Sequence, residues 1–188
     1  MGILEKAITF AVERHTGMVR KGTDVPYIVH PIEAVSIAAS ITSDAEILAA
    51  AVLHDVVEDT PTTIEEIREI FGSRVANLVA SDSEDKMPGV SPSESWKARK
   101  EATVQSLQSE SLDEKIIVLA DKLSNIRASY RDFLELGDTV WERFNQKDKQ
   151  MQGWYYRAIA DAVHELLSSV AYQEYCRIIG LLFDDDQP

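Results

Sequence analysis

The sequence predicts an all-α fold, and three observations carry that reading. Apolar residues recur at three- and four-residue spacing along most of the chain, the period of a helix with one buried face. Between those stretches stand helix signals, with Ser, Thr or Asp ahead of acidic first turns and Gly or Pro behind last turns. No stretch alternates apolar and polar residues long enough to read as a strand. With 188 residues, 45% of them apolar, the chain is long enough for a single domain with its own core.

Residues 3–19 open the chain as an amphipathic helix, with Ile3, Leu4, Ala7, Ile8, Ala11 and Val12 on one face and Gly22 as the break. His15, near its end, either lines a site or is a hydrogen-bonded structural histidine, the commoner case. Pro31 is suited to start a helix over 32–41, which puts His30 at its entrance, where the helix dipole disfavours an imidazolium. A plain capping role for His30 fits equally well. Ser43 and Glu46 have capping-box spacing for a central helix that carries the apolar run 47–53. Thr60-Pro61 closes it, and helices follow over 62–72 and 73–79.

Residues 81–95, with two prolines, a glycine and several serines, read as a loop. Lys86 in that loop is either solvated or able to reach over a neighbouring pocket. Helices are expected over 96–107, with Lys97, Arg99 and Lys100, and over 112–133. Residues 137–144 break the pattern, with Trp141 and Phe144 as packing anchors. A long helix over 148–170 holds Trp154, Tyr155 and Tyr156, which cannot all face inward. Tyr155 is the one expected to meet a ligand, unless it packs at an interface. A last helix over 172–183 leads to an acidic tail, residues 184–188, read as a solubilising end. Within the single domain, the motif-bearing part spans about 7–135 and the helices of 145–183 pack on it.

At Leu53-His54-Asp55-Val56-Val57-Glu58-Asp59 an almost wholly apolar run passes directly into polar residues. Around a continuous helix, His54, Glu58, Asp55 and Asp59 fall at about 0°, 40°, 100° and 140°, within one arc. An apolar helix is normally buried, and burying carboxylates without partners costs several kcal/mol. A divalent cation satisfies them, and mixed imidazole and carboxylate donors suit Mn, Fe or Zn. A His-Asp pair alone is a weak signal, because a salt-bridged or capping helix end explains it too. Asp121, flanked by Leu119, Ala120 and Leu123, is a second acid intruding into an apolar helix, with Asn125 one turn on. A fourth metal ligand is the preferred reading, and a pair with Lys122 or an arginine is the alternative.

A net charge of −13 argues against nonspecific binding to nucleic acid or to an anionic membrane. It leaves room for a small anionic substrate if local cations reverse the field. One cysteine, Cys176, precludes an internal disulfide, and no apolar run approaches the roughly 20 residues of a membrane span. The expectation is a cytoplasmic protein acting on a small molecule, with a homodimer as one candidate assembly.

Motifs in register carry a family resemblance over about residues 7–127. They are Arg20-Lys21-Gly22, Tyr27-Ile28-Val29-His30-Pro31, the segment 53–59, Phe71-Gly72, Asp85-Lys86, and Leu119-Ala120-Asp121-Lys122-Leu123-Ser124-Asn125-Ile126-Arg127. Together they resemble the HD superfamily of metal-dependent phosphohydrolases, and within it the hydrolase domain of the RelA/SpoT alarmone enzymes and their small metazoan SpoT-type relatives. The resemblance implies that His30, His54, Asp55 and Asp121 hold one divalent metal, typically Mn2+, with Fe, Zn, Co, Ni and Mg as alternatives. It implies that Glu58 and Asp59 orient and activate the attacking water, and that Arg20, Lys21, Lys86, Asn125 and Tyr155 surround a phosphorylated nucleotide. The implied reaction is removal of the 3′-pyrophosphate of (p)ppGpp. The segments 96–100 and 154–156 depart from that pattern, which keeps two alternatives open: hydrolysis of another nucleotide such as a nucleoside mono- or polyphosphate or NADPH, and a sensor that binds an alarmone without cleaving it.

Overall fold

The computed structural model describes residues 1–81 and 89–184. Among these, ten α-helices are arranged around a core centred on α3, Ala45–Leu53, whose residues 47–53 are all buried. That helix is apolar on every side because it has neighbours on every side: α1 (Ile3–Arg14), α2 (Val29–Ala38), α6 (Ser73–Ser81) and α8 (Leu112–Leu136) all pack on it. The longest helix, α8, runs through the molecule and also carries α2 and α10 (Val170–Phe183) on its flanks. In turn α9 (Lys149–Ala162) packs on α10, and α7 (Trp96–Leu107) packs on α9. None of the described helices is long and apolar enough to cross a membrane.

Several boundaries differ from the sequence expectation, each for a local reason. Helix α1 stops at Arg14 instead of reaching residue 19, and Gly17 takes a positive φ of 82° just beyond it. The chain then forms a short hairpin in place of the extra helical turn: Arg20 N–H donates to Val25 O at 2.8 Å and Tyr27 N–H to Met18 O at 2.9 Å. Gly22, at its tip, has φ 75°, which strains any other residue there, and a Cβ would lie 3.1 Å from the Arg143 side chain. Helix α2 begins at Val29, earlier than expected, with Pro31 inside the first turn, where a missing N–H leaves no helical bond unmade. Its N-cap is Ile28, with no side-chain cap, so His30 lies within the first turn and does not have the capping role.

The cap of α3 is Asp44, whose carboxylate accepts from the N–H groups of Glu46 and Ile47, and not Ser43. The helix does not continue through the polar cluster. It ends at Leu53, His54 and Asp55 form a turn, and a four-residue helix α4, Val56–Asp59, restarts after it. Beyond it, α5 (Ile64–Phe71) is capped by Thr63 and ended by Gly72 at φ 91°. A capping box of Ser111 and Glu114 starts α8, and Gly137 ends it. Residues 137–144 are not irregular: Gly137–Arg143 is a 3₁₀ helix that buries Trp141 against Phe144 and Phe183. The long helix expected over 148–170 is α9 followed by a 3₁₀ turn, His164–Leu166, with Ser169 capping α10. Asp184 is more than a solubilising residue, since it pairs with Arg157 at 2.8 Å.

Candidate metal centre

Packing of α2 against α3 and α8 brings three distant parts of the chain to one point. His30 enters from the first turn of α2, His54 and Asp55 from the turn after α3, and Asp121 from the middle of α8. The Nε2 atoms of His30 and His54 lie 3.2 Å apart. Asp121 Oδ1 is 3.1 Å from the first and 3.6 Å from the second. Asp55 Oδ2 is 3.3 Å from His30 Nε2 and 3.0 Å from His54 Nε2. His30, His54 and Asp121 are almost fully buried.

The hydrogen bonds on the far sides of the rings fix which atoms face inward. Glu33 accepts the Ser124 hydroxyl proton at 2.8 Å, so Ser124 Oγ accepts from His30 Nδ1–H, also at 2.8 Å. His54 Nδ1–H donates to the Ala51 carbonyl at 2.8 Å. Each neutral imidazole therefore turns the lone pair of Nε2 inward. Two nitrogen acceptors and two carboxylate oxygens converge with no donor of their own between them. Such a set is stabilised by a positive charge, and His30, His54 and Asp121, whose ligand atoms all lie within 4.8 Å of one another, form a group able to hold a divalent metal, with Asp55 beside it. Without one, a proton takes that place. Burial pulls the His54 pKa down, but Asp55 and Asp121 outweigh it and hold it well above the ordinary histidine value. Burial raises the carboxyl pKa of Asp55 and Asp121, and their cationic surroundings reverse this and leave both well below the ordinary range.

A second layer holds these groups in place. Tyr27 donates its hydroxyl to Asp55 Oδ2 at 2.7 Å. Glu33, behind Ser124, is bridged by Arg127 at 3.2 Å, and Arg127 also pairs with Glu174 on α10. Asn125 donates to Asp121 Oδ1 at 2.5 Å and accepts from Arg20 at 2.6 Å. The pair of Asp121 with Lys122 is present through Oδ2, while Oδ1 faces the imidazoles and is placed to take the ligand role. His15 is not the hydrogen-bonded histidine that was expected. It is buried against the Tyr27 ring, centroids 4.9 Å apart, and neither ring nitrogen has a partner among the described residues. Burial pushes its pKa down.

Outside the centre lies a cleft of about 560 Å³, within the size range of small-molecule sites. Arg20 and Lys21 reach it from the hairpin, Asn125 and Lys122 from α8, and Tyr155 and Tyr156 from α9. Its described lining carries seven Lys/Arg against three acids, in a chain whose net charge is −13. Of the two acids on α4, Asp59 forms part of the cleft wall and Glu58 is half-buried beside it. The helical hydrogen bonding is interrupted at His54–Asp55, so the segment is two helices where the sequence predicts one, although both residues keep right-handed helical dihedrals. Tyr155 lines the cleft although it is only 5% exposed, and Trp154, Tyr155 and Tyr156 all pack against the core. Lys86 lies outside the described residues.

Sequence reasoning missed Tyr27, Ser124, Glu33 and the α7 wall of the cleft. The first three had a signal: Tyr27 and Glu33 each stand three residues from His30, and Ser124 three from Asp121, one turn away.

Comparison with known proteins places this architecture. An HD-domain family model matches residues 7–148. A curated relative from Danio rerio, guanosine-3′,5′-bis(diphosphate) 3′-pyrophosphohydrolase MESH1, is 37% identical over 129 residues, covering 66% of this chain and 68% of its own. A guanosine-3′,5′-bis(diphosphate) 3′-pyrophosphohydrolase from Aquifex aeolicus is 34% identical over 163 residues, 87% of this chain but 21% of that protein, so the chain spans about a fifth of that longer relative. Among solved structures, one described as a metazoan ortholog of SpoT that hydrolyzes ppGpp superposes with a TM-score of 0.76, covering 96% of this chain and 95% of that one at 24% identity, a likeness of fold. The helical scaffold, the converging His and Asp residues and the family match lead to one conclusion: the chain belongs to the HD-domain family.

Proposed function

We propose that the chain is a manganese-dependent hydrolase that cleaves the 3′-pyrophosphate from (p)ppGpp, releasing pyrophosphate and GDP or GTP. The observation that carries this reading is the inward convergence of His30 Nε2, His54 Nε2, Asp55 Oδ2 and Asp121 Oδ1 beside a cleft rich in Lys and Arg. The pyrophosphohydrolase names of the relatives from Danio rerio and Aquifex aeolicus supply the substrate class. In this reading the reaction belongs to the cytoplasm, where nucleotide pools are.

His30, His54, Asp55 and Asp121 would hold the cation, which supplies positive charge toward phosphoryl oxygens and lowers the pKa of water toward neutrality. The protein's own groups do the rest. Tyr27 holds the Asp55 carboxylate and the Ser124–Glu33 pair holds His30, so the donor set keeps its shape as substrate enters. Glu58 and Asp59 are the acids suited to accept the proton of the attacking water as its oxygen bonds to phosphorus and the 3′ ester bond breaks. Arg20, tied to Asn125, and Lys21 at the hairpin tip stabilise charge on the pyrophosphoryl group as it passes to water, and the leaving 3′ oxygen takes up a proton to become the 3′ hydroxyl of GDP or GTP.

Purified protein given Mn2+ and a nucleotide panel, with phosphate and pyrophosphate scored separately, tests the reading. Pyrophosphate release from (p)ppGpp, abolished by EDTA, is the expected result. Inorganic phosphate from a different nucleotide would move the assignment to another substrate, a reading that the aromatic wall built from 96–100 and 154–156 favours. Glu58→Ala should keep its metal and lose turnover at least ~100-fold. Equal, negligible turnover by wild type and Glu58→Ala on every nucleotide would make the protein a binder.

A further inference from the structure

A line of hydrogen bonds joins α10 to the ring of His30. Glu174 on α10 accepts from both Nε and Nη2 of Arg127, at 2.8 and 2.6 Å, as a forked pair. The remaining nitrogen of that guanidinium, Nη1, reaches Glu33 Oε1 at a longer 3.2 Å. The other oxygen of Glu33, Oε2, accepts from the Ser124 hydroxyl at 2.8 Å, and Ser124 Oγ lies 2.8 Å from His30 Nδ1.

The direction of this line is set by its protons. A serine hydroxyl has one. While Glu33 takes it, Ser124 only accepts from His30, which keeps the ring proton on Nδ1 and turns the lone pair of Nε2 inward. A Ser124 released from Glu33 could donate to Nδ1 instead, and the ring would then carry its proton on Nε2, pointed at the other imidazole and the carboxylates. That tautomer has no lone pair to offer a cation. The inward lone pair thus depends on Glu33 Oε2 staying available to Ser124.

Arg127 is the competitor for that oxygen. A guanidinium matches a carboxylate best as a fork, through two parallel N–H bonds. Its fork is engaged by Glu174, whose carboxyl pKa those hydrogen bonds lower, and Glu33 receives only the single, longer contact. The packing of α10 on α8 holds the two partners together, both of them half-buried. Without Glu174, the same fork is free to close on both oxygens of Glu33 and displace Ser124.

We propose that Glu174 and Arg127 are positioning residues for the metal centre: by engaging the fork of Arg127, α10 leaves Glu33 to Ser124 and so keeps His30 in the tautomer that can ligate a divalent cation. The proposal rests on the ligand role of His30 in the hydrolase reading. Metal affinity then depends on how α10 is docked, although Glu174 is not itself one of the converging residues.

Mn2+ affinity is measured by titration calorimetry in wild type, Glu174→Ala, Arg127→Met and the two combined. The tautomer of His30 is read from nitrogen–proton correlation spectra of the metal-free proteins. Glu174→Ala should bind Mn2+ about tenfold more weakly and populate the Nε2–H form of His30. Glu174→Gln, closer in shape, should show part of the same loss. Removing Arg127 as well should bring affinity back near that of wild type, because the competitor for Glu33 is gone, whereas losing two structural props would add their effects. Additive losses in the combined variant overturn the proposal, as does an affinity unchanged in both Glu174→Ala and Glu174→Gln. If wild type binds no Mn2+, the ligand reading fails by itself and the tautomer decides: Nδ1–H in wild type giving way to Nε2–H in Glu174→Ala supports the positioning role, and one tautomer in both refutes it.

Discussion

His30 and His54 each donate Nδ1–H to a fixed acceptor, and that single feature turns two ordinary buried histidines into a facing pair of lone pairs. Removing one corner should undo the set. Asp121→Ala is expected to come off a desalting column without metal and to melt lower than wild type, because it also strips Lys122 of its partner. Equal metal content in variant and wild type would contradict the ligand assignment. Ser124→Ala is gentler: it leaves the ligands and frees the His30 ring, and should weaken metal affinity by about 10- to 100-fold. The pH dependence has opposite signs with and without metal. His54 has a raised folded pKa, so in EDTA-treated protein its proton contributes stability that is fully present below the unfolded value of 6.5 and is lost as pH rises through the folded value. In loaded protein the same proton competes with the cation, so metal affinity should fall as pH drops through that range. Melting curves in EDTA and metal titrations over pH 5–9, a window of about four units around the histidine range, separate the two. The four residues proposed as ligands were picked out in the sequence because polar residues inside apolar helices demand an explanation, and the structure brings His30, His54 and Asp121 within 4.8 Å of one another. The residues that hold them had only their one-turn spacing as a signal, since Tyr27 and Ser124 are unremarkable types whose role is defined once α2 lies on α3 and α8.

At the scale of the element, helix existence was legible and helix ends were less so. The period of apolar residues located every long helix, and 96–107 matched α7 to the residue. The errors gather where a side chain not visible as a cap took the job, or where the chain turned for the sake of the site. Asp44 displaced Ser43 at the start of α3 because its carboxylate reaches two N–H groups and also meets Arg74 on α6, at 2.9 Å. Asp44→Ala should therefore lower stability by roughly 1 kcal/mol, almost all of it from the cap, since the exposed pair with Arg74 adds little. For a chain of this length that is a fall of about 2–4 °C in Tm. Ser43→Ala, at an exposed position, should leave Tm unchanged within error. A larger loss at Ser43 than at Asp44 would restore the sequence expectation. The break at His54–Asp55 had no composition signal at all: a continuous helix is locally acceptable there, and the turn is imposed by bringing Asp55 beside two imidazoles and the Tyr27 hydroxyl.

For the whole molecule, the governing contrast is between a chain of net charge −13 and a cleft whose described lining holds seven of its nineteen Lys/Arg and three of its thirty-two acids. The net charge repels an approaching anion at long range, and the cations of the cleft lining oppose that repulsion locally. The low-dielectric walls of a cleft concentrate such a field, which raises the local concentration of substrate. Exposed charges lose their reach as the Debye length contracts from about 10 Å at 0.1 M salt to about 3 Å at 1 M, whereas contacts inside the cleft are screened far less. Raising NaCl over that interval should therefore act on capture more than on chemistry, lowering kcat/KM severalfold while kcat changes little. The same titration on Lys21→Ala, at the exposed hairpin tip, should show a shallower slope, because one of the long-range contributors is gone. A kcat/KM that is flat in salt for both proteins would mean that the clustered cations act only on bound substrate, and that the acidic remainder of the surface has no part in selecting it.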